Sequence, residues 1–315
     1  MKTWLREKLI CPECLPEEAS LGLDIEEKHF DDVIEGELIC SACQRRYRIS
    51  KGVATLLPEK SISMIKDQGG YNSRGMLSSY LWSHFCDLLN DPNATDAYRV
   101  WSSHAKASNG FALDIGCAVG RLSFELSKTN SQVIGLDTSI SFIRKARQLL
   151  MNKKLDFDLI IEGNLTEKRS CDLDPRWNYD RIEFLVADAL ALPFPKNLFT
   201  TVTSINLLEK VAVPLHHLKN VNRVLSQERA MFIFSDPFSW DETTSNAELW
   251  LGGSSNGNKY KGRGIENIRR LLLGEDGIFD PPLQIAEKGN VSWKIRKTEN
   301  LWEYINSQFI IGNRD

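Results

Sequence analysis

Short apolar runs that close on an acid or a turn, each followed by apolar residues at helical spacing, recur from residue 111 onward. Phe111–Ile115 is the first, and it leads through Asp114-Ile-Gly-Cys-Ala-Val-Gly120 into Arg121–Leu126, which has the spacing of a helix. Val133–Asp137, Ile182–Asp188, Phe199–Asn206 and Ala230–Phe234 repeat the apolar run, and Pro214 opens a helix that extends to Leu225. This alternation predicts an α/β fold with a doubly wound parallel sheet, which binds ligands outside the carboxyl ends of its strands. Upstream, Leu77–Leu89 has helical spacing and Asn90-Asp-Pro92 stops it, whereas Asp67–Gly70 and Asn72–Gly75 read as flexible turns. Before residue 58 the pattern changes to short strands, Glu37–Ile39 and Tyr47–Val53, around two C-x-x-C pairs. The expected organisation is a small module over 1–58, a linker and helical lid over 59–104, and a large domain over 105–315.

Composition narrows the class. With 315 residues, 42% of them apolar, the chain can bury a substantial core, which excludes collagen, coiled coil and wholesale disorder. The 39 Lys+Arg and 42 Asp+Glu give a net charge of -3 and no global drive toward nucleic acid or anionic lipid. No apolar run reaches the about eighteen residues of a membrane span, and Met1–Ile10 lacks the character of a signal peptide. A soluble, cytoplasmic protein is expected, with a small-molecule substrate and neither membrane nor nucleic acid as partner.

Seven cysteines are present, and four fall in Cys11-Pro-Glu-Cys14 and Cys40-Ser-Ala-Cys43. In a reducing compartment this pattern fits metal ligation better than a disulfide framework, and two such turns brought together supply the four soft ligands of a structural zinc site. These residues, with the exit Tyr47-Arg48-Ile49-Ser50-Lys51-Gly52-Val53 toward Leu56-Leu57-Pro58, resemble the zinc-ribbon family that includes the small activator subunit of methyltransferases. The resemblance makes the ribbon a candidate surface for a protein partner. Arg45, Arg46, Arg48 and Lys51 are a short basic run that would touch phosphate if the acceptor were RNA.

The chemistry of the large domain rests on its strand ends. The turn is D-x-G-x-x-x-G, with Ala118 where a dinucleotide fingerprint has its middle glycine, and an acid ahead of the glycines suits a cationic ligand better than a pyrophosphate. The next strand ends in Asp137, where a carboxylate can accept both hydroxyls of a ribose, and the third ends in Asp188, placed for an adenine amino group. Together these motifs resemble the Rossmann-like class I S-adenosylmethionine-dependent methyltransferases over residues 105–315. The resemblance implies S-adenosylmethionine as cofactor, held by Asp114, Gly116, Cys117, Gly120, Asp137, Thr138, Asp188, Ala189 and Asn206.

Further runs are similar to the mercaptohistidine N-methyltransferase domain at the C-terminus of ovothiol-biosynthesis enzymes. They are Leu113–Arg121, Ser141–Arg144, Glu162-Gly-Asn-Leu165, Asn206-Leu-Leu-Glu-Lys210, Asp236–Glu242 with Trp250-Leu-Gly-Gly253, and Ile295–Thr298. This similarity implies transfer to a small amino-acid-derived heterocycle such as the imidazole nitrogen of mercaptohistidine. On position, Asn206, Glu209 and Asp236 are the catalytic candidates, and Tyr80, Trp240, Trp250 and Arg296 the substrate-binding ones. Tyr80, Trp82 and His84 are lid candidates, and His216 and His217 are candidate bases of which one helix can present only one to a pocket. Rival readings are an RNA or quinone methyltransferase and a methyltransferase-like scaffold without turnover.

Overall fold

The computed structural model describes residues 1–62, 70–254 and 259–315. The first module is an antiparallel meander of β1 (Leu21–His29), β2 (Asp32–Cys40), β3 (Arg46–Ser50) and β4 (Val53–Leu56). Further along the described chain lie α1 (Arg74–Phe85), capped by the Ser73 hydroxyl, and α2 (Ala97–Ser103). The expected helix over 77–89 therefore starts earlier and stops at Phe85, and turns carry the chain to Asn90. Of the expected flexible stretch Asp67–Gly70, only Gly70 lies within the described residues.

The large domain alternates as its pattern requires: β5 (Ser108–Ile115), α3 (Arg121–Leu126), β6 (Asn130–Asp137), α4 (Ile140–Asn152), β9 (Ile182–Ala187), β10 (Phe199–Ile205), α5 (Pro214–Val224) and β11 (Ala230–Asp236). The insert before β9 is a separate hairpin, β7 (Lys154–Glu162) with β8 (Leu165–Asp172), turned by Glu162-Gly163-Asn164-Leu165. After α6 (Gly264–Leu272) the chain closes on two long antiparallel strands, β12 (Gln284–Arg296) and β13 (Trp302–Arg314). The main sheet runs β1-β2-β3-β4-β9-β6-β5-β10-β11-β13-β12. Its centre, from β4 to β11, is parallel, as expected, while both flanks are antiparallel, so the sheet is mixed.

One consequence concerns the ribbon. Strand β4 pairs in parallel with β9, Thr55 opposite Val186 and Leu56 opposite Ala187, so the ribbon meander continues the sheet of the large domain. Arg147 of α4 adds a buried tie, bonding Asp32 of β2 and, at 3.1 Å, Glu183 of β9. Two apolar layers cover the sheet. Helices α1, α2, α3 and α4 pack on one face with Trp101, Phe124, Phe142 and Phe184; α5 and α6 pack on the other with Phe194, Phe199, Phe232 and Phe234.

Candidate functional site

The carboxyl ends of β5, β6, β9, β10 and β11 lie side by side, which brings the expected residues to one edge of the sheet. Between β5 and α3 the chain doubles back: the amides of Gly116 and Cys117 both donate to Leu136 O at 2.9 Å. Gly116 and Gly120 have φ of 72° and 85°, a region in which a side chain is strained, and a Cβ on Gly120 would stand 2.6 Å from the Phe184 ring. Ala118 takes φ of 47° without being glycine and donates its amide to Asp137 Oδ2 at 3.1 Å. Asp137 Oδ1 accepts from the Ser139 amide at 2.8 Å, so the carboxylate organises both the glycine turn and the start of α4. Each oxygen retains a lone pair for a ligand hydroxyl.

Asp114 lies beneath the turn. Strand alternation sends Leu113 and Ile115 to the α5 face and Asp114 to the α3 face, where its oxygens accept from Ser123 Oγ at 2.7 Å and Thr203 Oγ1 at 2.8 Å. Burial raises both Asp114 and Asp137 to about 6, against the hydrogen bonds that favour the ionised form. Cys117 is buried within the turn and Thr138 half-buried beside Asp137. At the end of β9, Asp188 accepts from the Leu190 amide at 2.8 Å and from Ser61 Oγ at 2.6 Å, and Ala189 is buried behind it.

Asn206, just past β10, is in a left-handed conformation, its amide donating to Ser235 O at 2.6 Å, and its Oδ1 is buried with no hydrogen-bond partner among the described residues. Such an acceptor fits a ligand donor. Glu209 and Asp236, expected as catalytic groups, are instead enclosed. Glu209 accepts from the Ser239 amide and hydroxyl and pairs with Lys210 at 2.9 Å, while Asp236 accepts from the Phe238 amide at 2.8 Å. They pin the 207–210 turn to the 237–240 loop. Burial, then the Glu209 charge, pushes Asp236 up to about 8, which keeps it protonated at neutral pH.

The expected substrate-binding set divides. Trp240 stacks on Trp250 with centroids 6.0 Å apart, in the layer on the α5 face. Tyr80, on α1, packs in the opposite layer, and Arg296 is engaged within its own hairpin, its guanidinium over Trp302 and its Nε donating to Thr298 O at 3.3 Å. Strand position alone did not disclose which face each side chain would take. His217 is buried between Ser204 Oγ and Ala189 O and pushed down to about 4 by burial, and His216 bonds Leu190 O; both hold α5 to the sheet.

At the ribbon, the four sulfurs of Cys11, Cys14, Cys40 and Cys43 lie within 4.8 Å of one another. Cys11–Cys43 and Cys14–Cys40 are each separated by 3.7 Å, close to the about 3.8 Å edge of a tetrahedron with zinc–sulfur bonds of about 2.3 Å. The amides of Ala42 and Cys43 point at Cys40 Sγ, both at 3.4 Å, and Tyr47 Oη stands 3.1 Å from Cys11 Sγ; these are the donors a thiolate cluster requires. The basic run is not open: Arg45 pairs with Glu13 and Glu59, Arg46 with Glu37, and Arg48 with Glu26 and Glu35. Among the described residues no helix is long and apolar enough to cross a membrane.

Residues 113–233 match the family described as "Methyltransferase domain". The chain is 29% identical over 175 residues to the 2-phytyl-1,4-beta-naphthoquinone methyltransferase of Arabidopsis thaliana, across 52% of this chain and 58% of that protein. It is 27% identical over 163 residues to the ubiquinone/menaquinone biosynthesis C-methyltransferase UbiE of a Marinomonas species, across 49% and 56%. The chain spans little more than half the length of these curated relatives. A SAM-dependent methyltransferase structure from Methanosarcina mazei aligns with a TM-score of 0.43 at 19% identity, over 67% of this chain and 96% of the other. Within its mixed Rossmann-like sheet, residues 113–233 carry the match to the methyltransferase domain family.

Proposed function

We propose that the chain transfers the methyl group of S-adenosylmethionine to a small planar acceptor, the imidazole nitrogen of a mercaptohistidine-like amino acid being the reading its sequence motifs favour. The observation that carries the cofactor assignment is the row of acids at adjacent strand ends, Asp137 and Asp188, beside a tight turn in which Gly116 and Gly120 take positive φ. In this reading Asp137 and Thr138 hold the ribose, Asp188 and Ala189 bracket the adenine, and the turn from Gly116 to Gly120 with Cys117 lies along the nucleoside. Asp114 braces the turn through Ser123 and Thr203, and Asn206 offers Oδ1 to the amino-acid end. When bound, the cofactor supplies an electrophilic methyl group on a sulfonium. An imidazole nitrogen is neutral and nucleophilic near pH 7, so the protein's work is positioning and exclusion of water.

The division into a ribbon over 1–58, a lid over 59–104 and a catalytic domain over 105–315 belongs to the same proposal. Cys11, Cys14, Cys40 and Cys43 hold a structural zinc that fixes the meander, and β4 transmits that order to β9. A second reading, methylation of a quinone ring carbon, is favoured by the quinone methyltransferases among the curated relatives. Incubation with methyl-labelled cofactor and separately with mercaptohistidine, a demethylated quinone and RNA, followed by mass spectrometry, separates them. Label in mercaptohistidine supports the first reading, label in the quinone the second, and label in neither ring excludes both.

A further inference from the structure

Two successive residues cap two different helices. Ser73 Oγ accepts from the Met76 amide at 3.2 Å and starts α1. Asn72 reaches instead to the start of α4, where its Oδ1 accepts from Ser139 Oγ at 2.9 Å, Ser141 Oγ at 2.8 Å and the Ser141 amide at 3.3 Å. Ser139 is itself the cap of α4, its Oγ accepting from the Phe142 amide at 3.2 Å. A helix leaves its first amides unpaired, and here those of Ser141 and Phe142 are divided between a distant cap and a local one. Tyr71 secures the same corner: its carbonyl accepts from Ser139 Oγ at 3.3 Å, and its ring meets that of Phe142 edge-on with centroids 6.1 Å apart. The stretch from Asn72, expected to be a flexible turn, is thus the clasp between α1 and α4. The lid candidates Trp82 and His84, further along α1, are buried.

The clasp ends on the carboxylate that the cofactor reading assigns to the ribose. Ser139 donates its amide to Asp137 Oδ1 at 2.8 Å and Ala118 donates its own to Oδ2, so two amides set the carboxylate plane, one from the glycine turn and one from the residue that Asn72 holds. Asp137 stands opposite Val186, which puts Asp188 two residues further along the neighbouring strand, where Ser61 Oγ donates to its Oδ2. Resting on the methyltransferase reading above, we propose that Asn72 is a positioning residue for the cofactor: by fixing Ser139 it fixes Asp137 in the orientation that meets the ribose hydroxyls, as Ser61 does for Asp188. Asn72 touches no ligand in this role. Its oxygen preorganises the carboxylate, so the ordering of the acid precedes binding and does not weaken it. Asn72 is exposed, and its truncation opens no cavity in the core. A residue that only capped α4 would contribute to stability and leave the affinity of the folded chain unchanged.

Calorimetry with S-adenosylhomocysteine on the full zinc-loaded chain tests this. Binding by the unaltered protein comes first, since its absence overturns the methyltransferase reading and, with it, the proposal. Asn72→Ala should weaken binding about tenfold, and the same change made in an Asp137→Ala background should weaken it less than twofold, because no carboxylate is left to orient. If Asp137→Ala does not fold, Ser139→Ala takes its place as the background, since it removes the hydroxyl that Asn72 holds. Urea midpoints are measured alongside. Two outcomes overturn the proposal while the methyltransferase reading stands. One is a lowered midpoint in Asn72→Ala with the affinity of the parent, which leaves Asn72 a helix cap alone; the other is a tenfold loss that persists in the altered background, which means that Asn72 does not act through Ser139 and Asp137.

Discussion

Ser61 Oγ donates to Asp188 Oδ2 at 2.6 Å, so the segment leaving the ribbon ends on the acid at the tip of β9. The link continues back to the cysteine turns. Glu13, between Cys11 and Cys14, accepts from the Glu59 amide at 2.8 Å, and Arg45, just after Cys43, reaches Leu57 O at 3.4 Å and Glu13 at 3.3 Å. If Asp188 receives the adenine amino group, Ser61 is what orients it. Ser61→Ala should therefore weaken S-adenosylhomocysteine binding by about 1.5 kcal/mol, or about tenfold in Kd, the usual worth of one hydrogen bond to a charged group. Calorimetry reads this directly. An unchanged Kd separates the ribbon exit from the cofactor site.

The ribbon and the large domain should melt together, because Arg147 spans them. Its guanidinium bonds Asp32 of the ribbon and Glu183 of β9, and Glu183 is 0% exposed. Arg147→Met leaves the buried Glu183 without its cation and Asp32 with the Met1 amino group alone, and removal of one partner from a buried pair costs about 3–5 kcal/mol. Urea unfolding followed by fluorescence should show one transition in the parent and a lower midpoint in the variant. A midpoint shift in the ribbon signal alone would mean that the two sheets unfold as separate units.

The parallel strands were legible because each is an apolar run closed by an acid or turn, a local signal that survives folding intact. The cysteine pairs were legible for the same reason. Strands β12 and β13 were not: positions 284–290 are mostly polar or exposed, as an edge strand permits, and their partners are fixed only by the hairpin register. The β7–β8 hairpin, polar on its outer face, escaped likewise. Tertiary relations such as Ser61 with Asp188, or Asn72 with Ser139, leave no spacing signature at all. Glu209 and Asp236 illustrate the converse, since strand position suggested chemistry and the backbone amides of 238 and 239 took their oxygens.

Asp137 should impose a pH dependence on cofactor binding. Burial raises it to about 6, so it is mostly ionised at pH 7 and mostly neutral at pH 5. If the ionised form receives the ribose hydroxyls, S-adenosylhomocysteine affinity should fall about tenfold per pH unit below 6. Asp137→Ala should weaken binding at pH 7 by roughly 1.5–3 kcal/mol and remove that slope. Titrations at pH 5, 6 and 7 check both. A slope retained in the variant would place the titrating group elsewhere.

Asp236 should govern stability in alkali. Its folded pKa of about 8 lies above the about 3.9 of an unfolded Asp, so the folded chain holds a proton that the unfolded chain has released across the interval between them. The stabilisation is complete below the unfolded value and is lost as pH rises through the folded one, at up to about 1.4 kcal/mol per pH unit. The physical cause is the enclosure of Asp236 beside Glu209, where a second negative charge has no water to face. Asp236→Asn keeps an oxygen for the Phe238 amide and carries no proton to lose. Urea midpoints measured from pH 5 to 8 should therefore decline in the parent and stay nearly level in the variant, with the variant the more stable of the two at pH 8. Parallel decline in both would assign the proton to another carboxyl, and a variant weaker at every pH would mean that the acid's own O–H is an essential donor in the 207–240 contact.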